Sequence, residues 1–236
     1  MLALFLLIPF IGFSQAKTIL YSNRIFPRKD KLAELDKALS NHAQKYHTGD
    51  WKWRVFSIES GPDAGGYMIT EGPSSWDLID GRGDLGAEHT TDWQKNVGPL
   101  TQDRGSSMYI EFQADLSTVQ LTDYSDKIVV NHMMSKPGKI NAIPELIKKM
   151  KNAWQAGGES VAVYQSVVSG DPQYLTVTRL KGGLKELATG FRKPLKERFM
   201  ATNGEGSFDT FVKDYADDVE SRWSELLVLK PALSSK

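Results

Sequence analysis

The sequence has no cysteine, no excess of charge of either sign and no long hydrophobic run after its first residues, and each absence excludes a class of function. Without cysteine there can be no disulfide, thiolate nucleophile, iron-sulfur cluster or Cys-ligated zinc. Basic and acidic side chains number 29 each, so no basic surplus exists to attract nucleic acid or an anionic membrane surface. With 40% hydrophobic and 25% charged residues among 236, the composition is typical of a soluble globular protein.

The N-terminus predicts a signal peptide. Residues 2–13 carry no polar side chain, which is too short a run to span a bilayer but suits a signal-peptide core. Ser14 and Ala16 place small residues at positions −3 and −1 of a cleavage site. We therefore predict a signal peptide over residues 1–16 and an exported mature chain, periplasmic or extracellular, that does not insert into a membrane. No Lys or Arg precedes the core, and a buried N-terminal helix is the alternative.

The rest of the chain carries one pattern twice. An offset of 108 residues superposes residues 18–23 on 126–131, Leu35 on Ile143, Leu39 on Ile147 and Gly49 on Gly157. Near the end of each copy, an offset of 117 superposes residues 109–117 on 226–234. The second copy therefore holds nine more residues than the first between these two regions.

Each copy predicts the same order of elements. Apolar residues at spacings of three and four, from Leu32 to Tyr46 and from Ile140 to Trp154, predict amphipathic helices that follow the first strands. Two further strands come next, then a second helical region, which is weak around residues 84–96 and strong from Phe208 to Leu226. Fourth strands are predicted at residues 108–113 and 227–230.

This order, βαββαβ, is that of a ferredoxin-like unit. We predict an α+β fold made by tandem duplication, with one unit at residues 17–121 and the other at 122–236. Each unit covers one face of a four-stranded antiparallel sheet with helices, so the two sheets are expected to pack face to face as a pseudo-dimeric α/β barrel. Apolar runs such as residues 128–130 and 161–163 fit strands that are buried on both faces.

In its element order the chain resembles the dimeric α/β-barrel superfamily, which includes antibiotic-biosynthesis monooxygenase-like and NIPSNAP-like proteins. The resemblance covers nearly the whole mature chain and carries no diagnostic motif. It implies a cavity between the two sheets. It does not fix an activity, because the superfamily holds cofactor-free oxygenases, haem-active enzymes and members with no known chemistry.

Polar residues inside the strands are the candidate lining of that cavity. Trp53 and Val55 match Val161 and Val163 in the repeat, so these apolar positions are expected to face the helices. Arg54 and Tyr164 would then point into the barrel, whereas the parity of the first strands is undecided. The candidate catalytic residues are Arg54, His132 and Tyr164, and the candidate ligand-binding residues are Asn23, Asn131, Gln165 and Trp76.

Several alternatives stay open at these positions. Arg54 and His132 could lie at strand ends with their polar groups exposed to solvent, and Trp76 could belong to the core. If Arg54 is buried, we expect it to reach a carboxylate such as Glu71 or Glu111, or to await an anionic ligand. The four histidines show no HExxH or i, i+4 pair, so neither a metal nor a cofactor is predicted.

The sequence supports two classes of function. In one, the protein binds a small molecule in the barrel, with cofactor-independent oxygenase-type chemistry in which Arg54 orients an anionic or enolate oxygen and His132 or Tyr164 moves a proton. In the other it is a non-catalytic envelope protein whose outer helices bind a partner. The oligomeric state, monomer or homodimer, is not determined.

Overall fold

The computed structural model describes residues 16–83 and 85–236. Residues 1–15, which make up nearly all of the predicted signal peptide, lie outside the described residues. In the described part of the chain, no helix combines the length and the apolar character needed to cross a membrane.

The elements follow the predicted order in both halves of the chain. The first half contains β1 (Ile19–Pro27), α1 (Leu32–Tyr46), β2 (Trp53–Ile58), β3 (Tyr67–Ser74), α2 (Trp76–Gly81), α3 (Ala87–Asp92) and β4 (Thr101–Phe112). The second half contains β5 (Lys127–Ser135), α4 (Ile143–Ala156), β6 (Val161–Val167), β7 (Gln173–Arg179), α5 (Leu195–Asn203), α6 (Ser207–Asp218) and β8 (Val219–Leu229).

The eight strands form one closed antiparallel barrel in the order β1-β3-β2-β8-β5-β7-β6-β4. Each half contributes four consecutive strands, and the halves meet where β2 pairs with β8 and where β4 pairs with β6. These two seams are short: the first runs from the pair Phe56 and Leu229 to the pair Ile58 and Leu227. The predicted face-to-face sheets are therefore also joined edge to edge, which removes the free strand edges that two open sheets would expose.

Three apolar clusters form the core, one inside the barrel and one on the outer face of each half's sheet. One lies inside the barrel and includes Phe56, Tyr164 and Leu227. A second lies between the sheet of the first half and α1, and a third lies between the sheet of the second half and α4, α5 and α6. The strands are thus buried on both faces, as their uninterrupted apolar runs predict.

Three elements differ from the sequence prediction, and one of them is β4, which begins at Thr101 instead of residue 108. The apolar stripe that begins at Phe208 predicts a helix as far as Leu226, but α6 ends at Asp218 and β8 starts at Val219. The reason is that β5 offers a partner along the whole of β8, from Ser135 opposite Val219 to Lys127 opposite Val228. In the first half, the weak helical region around residues 84–96 is α3 followed by a π-helical turn at Trp93–Val97, and the short helix α2 precedes this region.

Candidate functional site

A cavity lies inside the barrel between the two sheets. The cavity has a volume of about 70 Å³. This is several times the roughly 10–15 Å³ that one water molecule needs by the same measure. Its walls are mostly apolar, with a few polar groups among them, and are formed by Leu20, Ser22, Arg24, Arg54, Phe56, Met68, Thr70, Met108, Ile110, Tyr124, Ile128, Val130, Tyr164, Leu175, Val177 and Arg179.

Arg54 enters this cavity without a charged partner. Its position in β2 follows the predicted alternation, since Trp53 and Val55 on either side pack in the cluster beneath α1. The guanidinium lies 3.7 Å from the ring centroid of Tyr124, in cation-π geometry, and donates one hydrogen bond, of 3.2 Å, to the carbonyl oxygen of Gly72. No carboxylate of the described residues forms an ion pair with it, so most of its donors remain available.

Arg179, at the end of β7, brings a second guanidinium to the same region. It is only 3% exposed. Its hydrogen bonds go to the carbonyl oxygens of Gln120 (2.8 Å) and Leu121 (3.2 Å) and to the phenol oxygen of Tyr164 (3.4 Å). All three acceptors are uncharged, and no described carboxylate pairs with Arg179, so its charge adds to that of Arg54.

The two tyrosines complete this group of polar side chains. Burial raises the pKa of Tyr164, and the charge of Arg179 offsets only part of that effect. Tyr164 is therefore a neutral phenol near pH 7, and because it accepts from Arg179, its own proton can be donated elsewhere. The hydroxyl of Tyr124 is buried and has no hydrogen-bond partner among the described residues. We call Arg54, Arg179, Tyr124 and Tyr164 the anion cluster.

A different charged group, inside the same barrel, is fully compensated. Arg24 donates to both carboxylate oxygens of Glu225, one bond measuring 2.8 Å, and to Asp63 at 2.9 Å. Burial tends to raise the pKa of Glu225, but the hydrogen bonds from Arg24 and His132 outweigh it and hold the pKa below its usual range.

His132 belongs to this compensated group and does not line the cavity. Its ring stacks on Trp223 with 3.7 Å between centroids. Nδ1 lies 3.0 Å from the side-chain oxygen of Gln173, and Nε2 lies 3.1 Å from Glu225. Both ring nitrogens are therefore engaged, and neither is left to exchange a proton with a ligand in the cavity.

The structure brings together only part of the predicted site. Arg54 and Tyr164 line one cavity. Asn23 and Asn131 instead face outward, toward the helices, because the inward positions of the first strands are those of Arg24 and His132.

Gln165 and Trp76 also lie outside the cavity. The side-chain oxygen of Gln165 accepts a hydrogen bond from the hydroxyl of Tyr174, one strand away. Trp76 is 38% exposed and packs against Tyr109 on the outer surface. The expectation that Arg54 pairs with Glu71 or Glu111 is wrong: Glu71 faces the helix side of β3, where it accepts from Arg82 and His47.

Sequence reasoning counted Arg24 among the polar residues of the first strands but left its direction undecided, and it missed Arg179 and Tyr124. The repeat holds a signal for Arg24, because the offset of 108 places it on His132, and equivalent positions of the two halves face the same way. Alternation along β7 would have placed Arg179 inward with Leu175 and Val177. Tyr124 lies in the connection between the halves, where no periodicity exists to orient it.

Comparison with known proteins bears on the fold. No protein-family model matches the chain, and no curated protein sequence matches it. Among solved structures, an anthrone oxidase-like protein superposes with a TM-score of 0.61 at 14% identity, covering 92% of each chain. The fold is a pseudo-dimeric α/β barrel.

Two further structures share this barrel. A provisionally named monooxygenase from Fusobacterium nucleatum subsp. nucleatum has a TM-score of 0.56 at 14% identity, covering 89% of this chain and 91% of its own. Chlorite dismutase from Candidatus Nitrospira defluvii, in complex with imidazole, has a TM-score of 0.55 at 8% identity, covering 93% of both chains. At such identities the likeness shows the fold alone.

The residues inside the barrel do not fit a haem, the cofactor that some members of the resembled superfamily use. No histidine lines the cavity, although histidine is the usual proximal ligand of haem iron. The space is also smaller than the roughly 150 Å³ of an engineered cavity that admits benzene. A ring-containing ligand therefore needs adaptable side chains such as Met68 and Met108 to move.

Proposed function

We propose that the protein binds, in its barrel cavity, a small and largely apolar molecule that carries one anionic oxygen. The observation that supports this proposal is the pair of guanidiniums, Arg54 and Arg179, that share an apolar cavity and have no carboxylate partner among the described residues. Arg179 is buried and Arg54 half-buried; a cation that is removed from water without a counter-ion is costly, and an anionic ligand would supply the missing charge. A carboxylate, an enolate or a phenolate satisfies this requirement.

Each residue of the anion cluster has a role in this proposal. Arg54, with its free donors, binds the anionic oxygen directly. Arg179 holds the phenol of Tyr164 so that its proton is donated to the same oxygen. The ring of Tyr124, already against Arg54, provides a flat surface for the body of the ligand. The apolar walls then exclude water and strengthen these electrostatic contacts.

The chemistry that best suits this cavity is cofactor-independent oxidation by dioxygen. No carboxylate or imidazole among the described residues lines the cavity. The substrate would therefore lose its proton to water, and the two guanidiniums would favour this step by stabilising the enolate or phenolate. Its carbanionic carbon would form a bond to dioxygen. The peroxide, protonated through Tyr164, would then lose water, converting an activated CH₂ group and O₂ into a carbonyl group and H₂O. For this reason we favour the oxygenase branch, antibiotic-biosynthesis monooxygenase-like, of the resembled superfamily.

Thermal shift with benzoate and its neutral analogue benzamide tests the binding step. We expect benzoate, and not benzamide, to raise the melting temperature of the wild-type protein. Arg54→Leu should abolish this shift, whereas Arg28→Leu, which removes an exposed arginine outside the barrel, should retain it. Equal shifts in both variants would show that the anion binds elsewhere.

Oxygen uptake tests the chemical step. Acetylacetone is a suitable probe because it is smaller than benzoate, ionises to an enolate and has an activated CH₂ group that can be oxidised to a carbonyl as described. Wild-type protein should accelerate oxygen consumption over buffer, and Arg54→Leu should not. Benzoate binding without faster uptake would identify a binding protein rather than an oxygenase.

We also propose that the protein is exported. The support is the hydrophobic core of residues 2–13 and the small residues before Lys17. Mass spectrometry of the protein from its native cells should find Lys17 at the N-terminus. Recovery of the intact chain, starting at Met1, from the cytoplasm would contradict export.

A further inference from the structure

Three histidines of the first half converge outside the barrel. His42 lies on α1, His47 directly follows that helix, and His89 lies on α3. One ring nitrogen from each lies within 4.8 Å of the other two. These histidines are separated by five and 42 residues in sequence, so no short motif reveals the cluster.

Carboxylates orient two of the three rings. Nδ1 of His42 lies 2.7 Å from Asp92, and Nδ1 of His47 lies 2.9 Å from Glu71. A carboxylate can only accept, so each Nδ1 carries the proton and each Nε2 presents a lone pair. Donation of the second ring nitrogen to a carboxylate is the arrangement that fixes histidine ligands around a metal ion.

The lone pairs have no partner in the described structure. Nε2 of His42 and Nε2 of His47 are buried and form no hydrogen bond, and the two residues are 1% and 2% exposed. Buried polar atoms are normally satisfied, so two unpaired acceptors next to a third imidazole indicate a missing ligand.

We propose that His42, His47 and His89 bind one zinc ion, with the fourth coordination position open to the adjoining pocket. Three imidazoles suit zinc, and a three-histidine site with an open position is a catalytic rather than a structural arrangement. Tetrahedral coordination with bonds of about 2.1 Å places nitrogens roughly 3.4 Å apart. The three nitrogens lie within 4.8 Å of one another, so small rotations of the rings would bring them to the spacing that zinc requires.

The surroundings suit an exchangeable ligand at that fourth position. The pocket is lined by Tyr21, Asn23 and Trp93 in addition to His47 and His89, whereas His42 lies behind them and does not line it. His89 is half-buried, so the ion has a route from solvent on that side. Arg82 is the nearby cation, and it is neutralised by Glu71, to which Nη1 donates at 2.7 Å. This pocket is on the opposite face of the sheet from the anion cluster, so the zinc site does not depend on the proposed function of the barrel.

Dialysis of the purified protein with zinc, followed by metal analysis, tests the proposal. Wild type should retain one zinc per chain. His89→Ala, at the most accessible ligand, should weaken binding by more than about 100-fold, and Asp92→Ala, which removes the acceptor that orients the His42 ring, by about 10- to 100-fold. Glu88→Gln changes an exposed carboxylate next to His89 and should leave the affinity unchanged.

Cobalt substitution provides a readout that needs no variant. Co²⁺ bound by three imidazoles in tetrahedral geometry gives intense visible absorption, whereas octahedral surface binding gives weak absorption. Intense bands that are lost on addition of one equivalent of Zn²⁺ would support the site. Weak bands, no retained zinc in wild type, or equal retention by a folded His89→Ala variant would each overturn it.

Discussion

Arg24 and Arg54 both reach the barrel interior, but only Arg24 pairs with a carboxylate. Replacing each of them should therefore change the free energy of unfolding by different amounts. Arg24→Leu leaves Glu225 buried without its main counter-ion, which should destabilise the protein by about 3–5 kcal/mol. Arg54→Leu strands no carboxylate, so we expect a loss of less than about 1 kcal/mol, or a small gain. Urea unfolding of the two variants against wild type measures both values. A large loss for Arg54→Leu would instead assign that residue a structural role.

Glu225 should make the stability of the protein depend on pH. Its pKa in the folded protein is lower than the usual value of 4.5. Since the unfolded chain then binds the proton more readily, the contribution of Glu225 is fully present above pH 4.5 and is lost as the pH falls through the folded-state pKa. Unfolding free energies measured between pH 6 and pH 3 should fall less steeply for Glu225→Gln than for wild type. Parallel curves would contradict the assignment.

The sequence predicts the direction of a side chain only where the two faces of a strand differ in composition. In β2 the bulky apolar residues Trp53 and Val55 mark the helix side, and this places Arg54 inward. In β1 both faces are buried and both carry polar residues, so alternation does not distinguish Asn23 from Arg24. The partners of Arg24 come from other elements, since Glu225 is 201 residues away in sequence, and such pairings are set by barrel closure.

The segments that follow β4 and β8 each form a hydrogen bond to the other half of the barrel. After β4, Ser117 accepts a hydrogen bond of 2.8 Å from the backbone N–H of Val163 in the other half. After β8, Ser234 accepts one of 3.0 Å from Val55. The offset of 117 superposes these two serines, so the repeated sequence encodes a repeated contact across both seams.

Removing one of these hydroxyls should destabilise the barrel. Ser234→Ala leaves the buried N–H of Val55 without an acceptor, which costs about 1–3 kcal/mol, and Ser117→Ala should cost about the same because Val163 is equally buried. Ser40→Ala is a suitable control, since its hydroxyl donates to a carbonyl oxygen at an exposed site. Thermal melts of the three variants should separate the two seam serines from Ser40. Three similar melting temperatures would mean that water replaces the serine acceptors.

Element order was predictable and element ends were less so. The helices α1 and α4 follow the spacing of apolar residues in the sequence, because each packs one face on a sheet. The start of β8 at Val219 was not predictable from the stripe that includes Phe211 and Trp223, because pairing with β5 overrides local helical preference. The turn at Trp93–Val97 likewise depends on tertiary packing against α1.

For the whole molecule, the two candidate sites share one sheet. Arg54 and its neighbour Trp53 lie on adjacent positions of β2 and point to opposite faces. Arg54 enters the barrel cavity, while Trp53 stacks on His47 with 3.6 Å between ring centroids. Changes at one site can therefore be made without touching the other, and the variants proposed for each site serve as controls for the other.

Closure of the barrel also predicts how the halves behave when separated. Each half alone would expose the inner face of its sheet, with Leu20 and Phe56 in the first half and Val130 and Tyr164 in the second, together with two unpaired strand edges. We therefore expect residues 17–121 and 122–236, expressed separately, to aggregate or to form homodimers, and to assemble into one cooperatively melting unit when refolded together. Size-exclusion chromatography and thermal denaturation distinguish these outcomes. A monomeric half with a cooperative melt of its own would show that the halves are independent domains that are only joined at the seams.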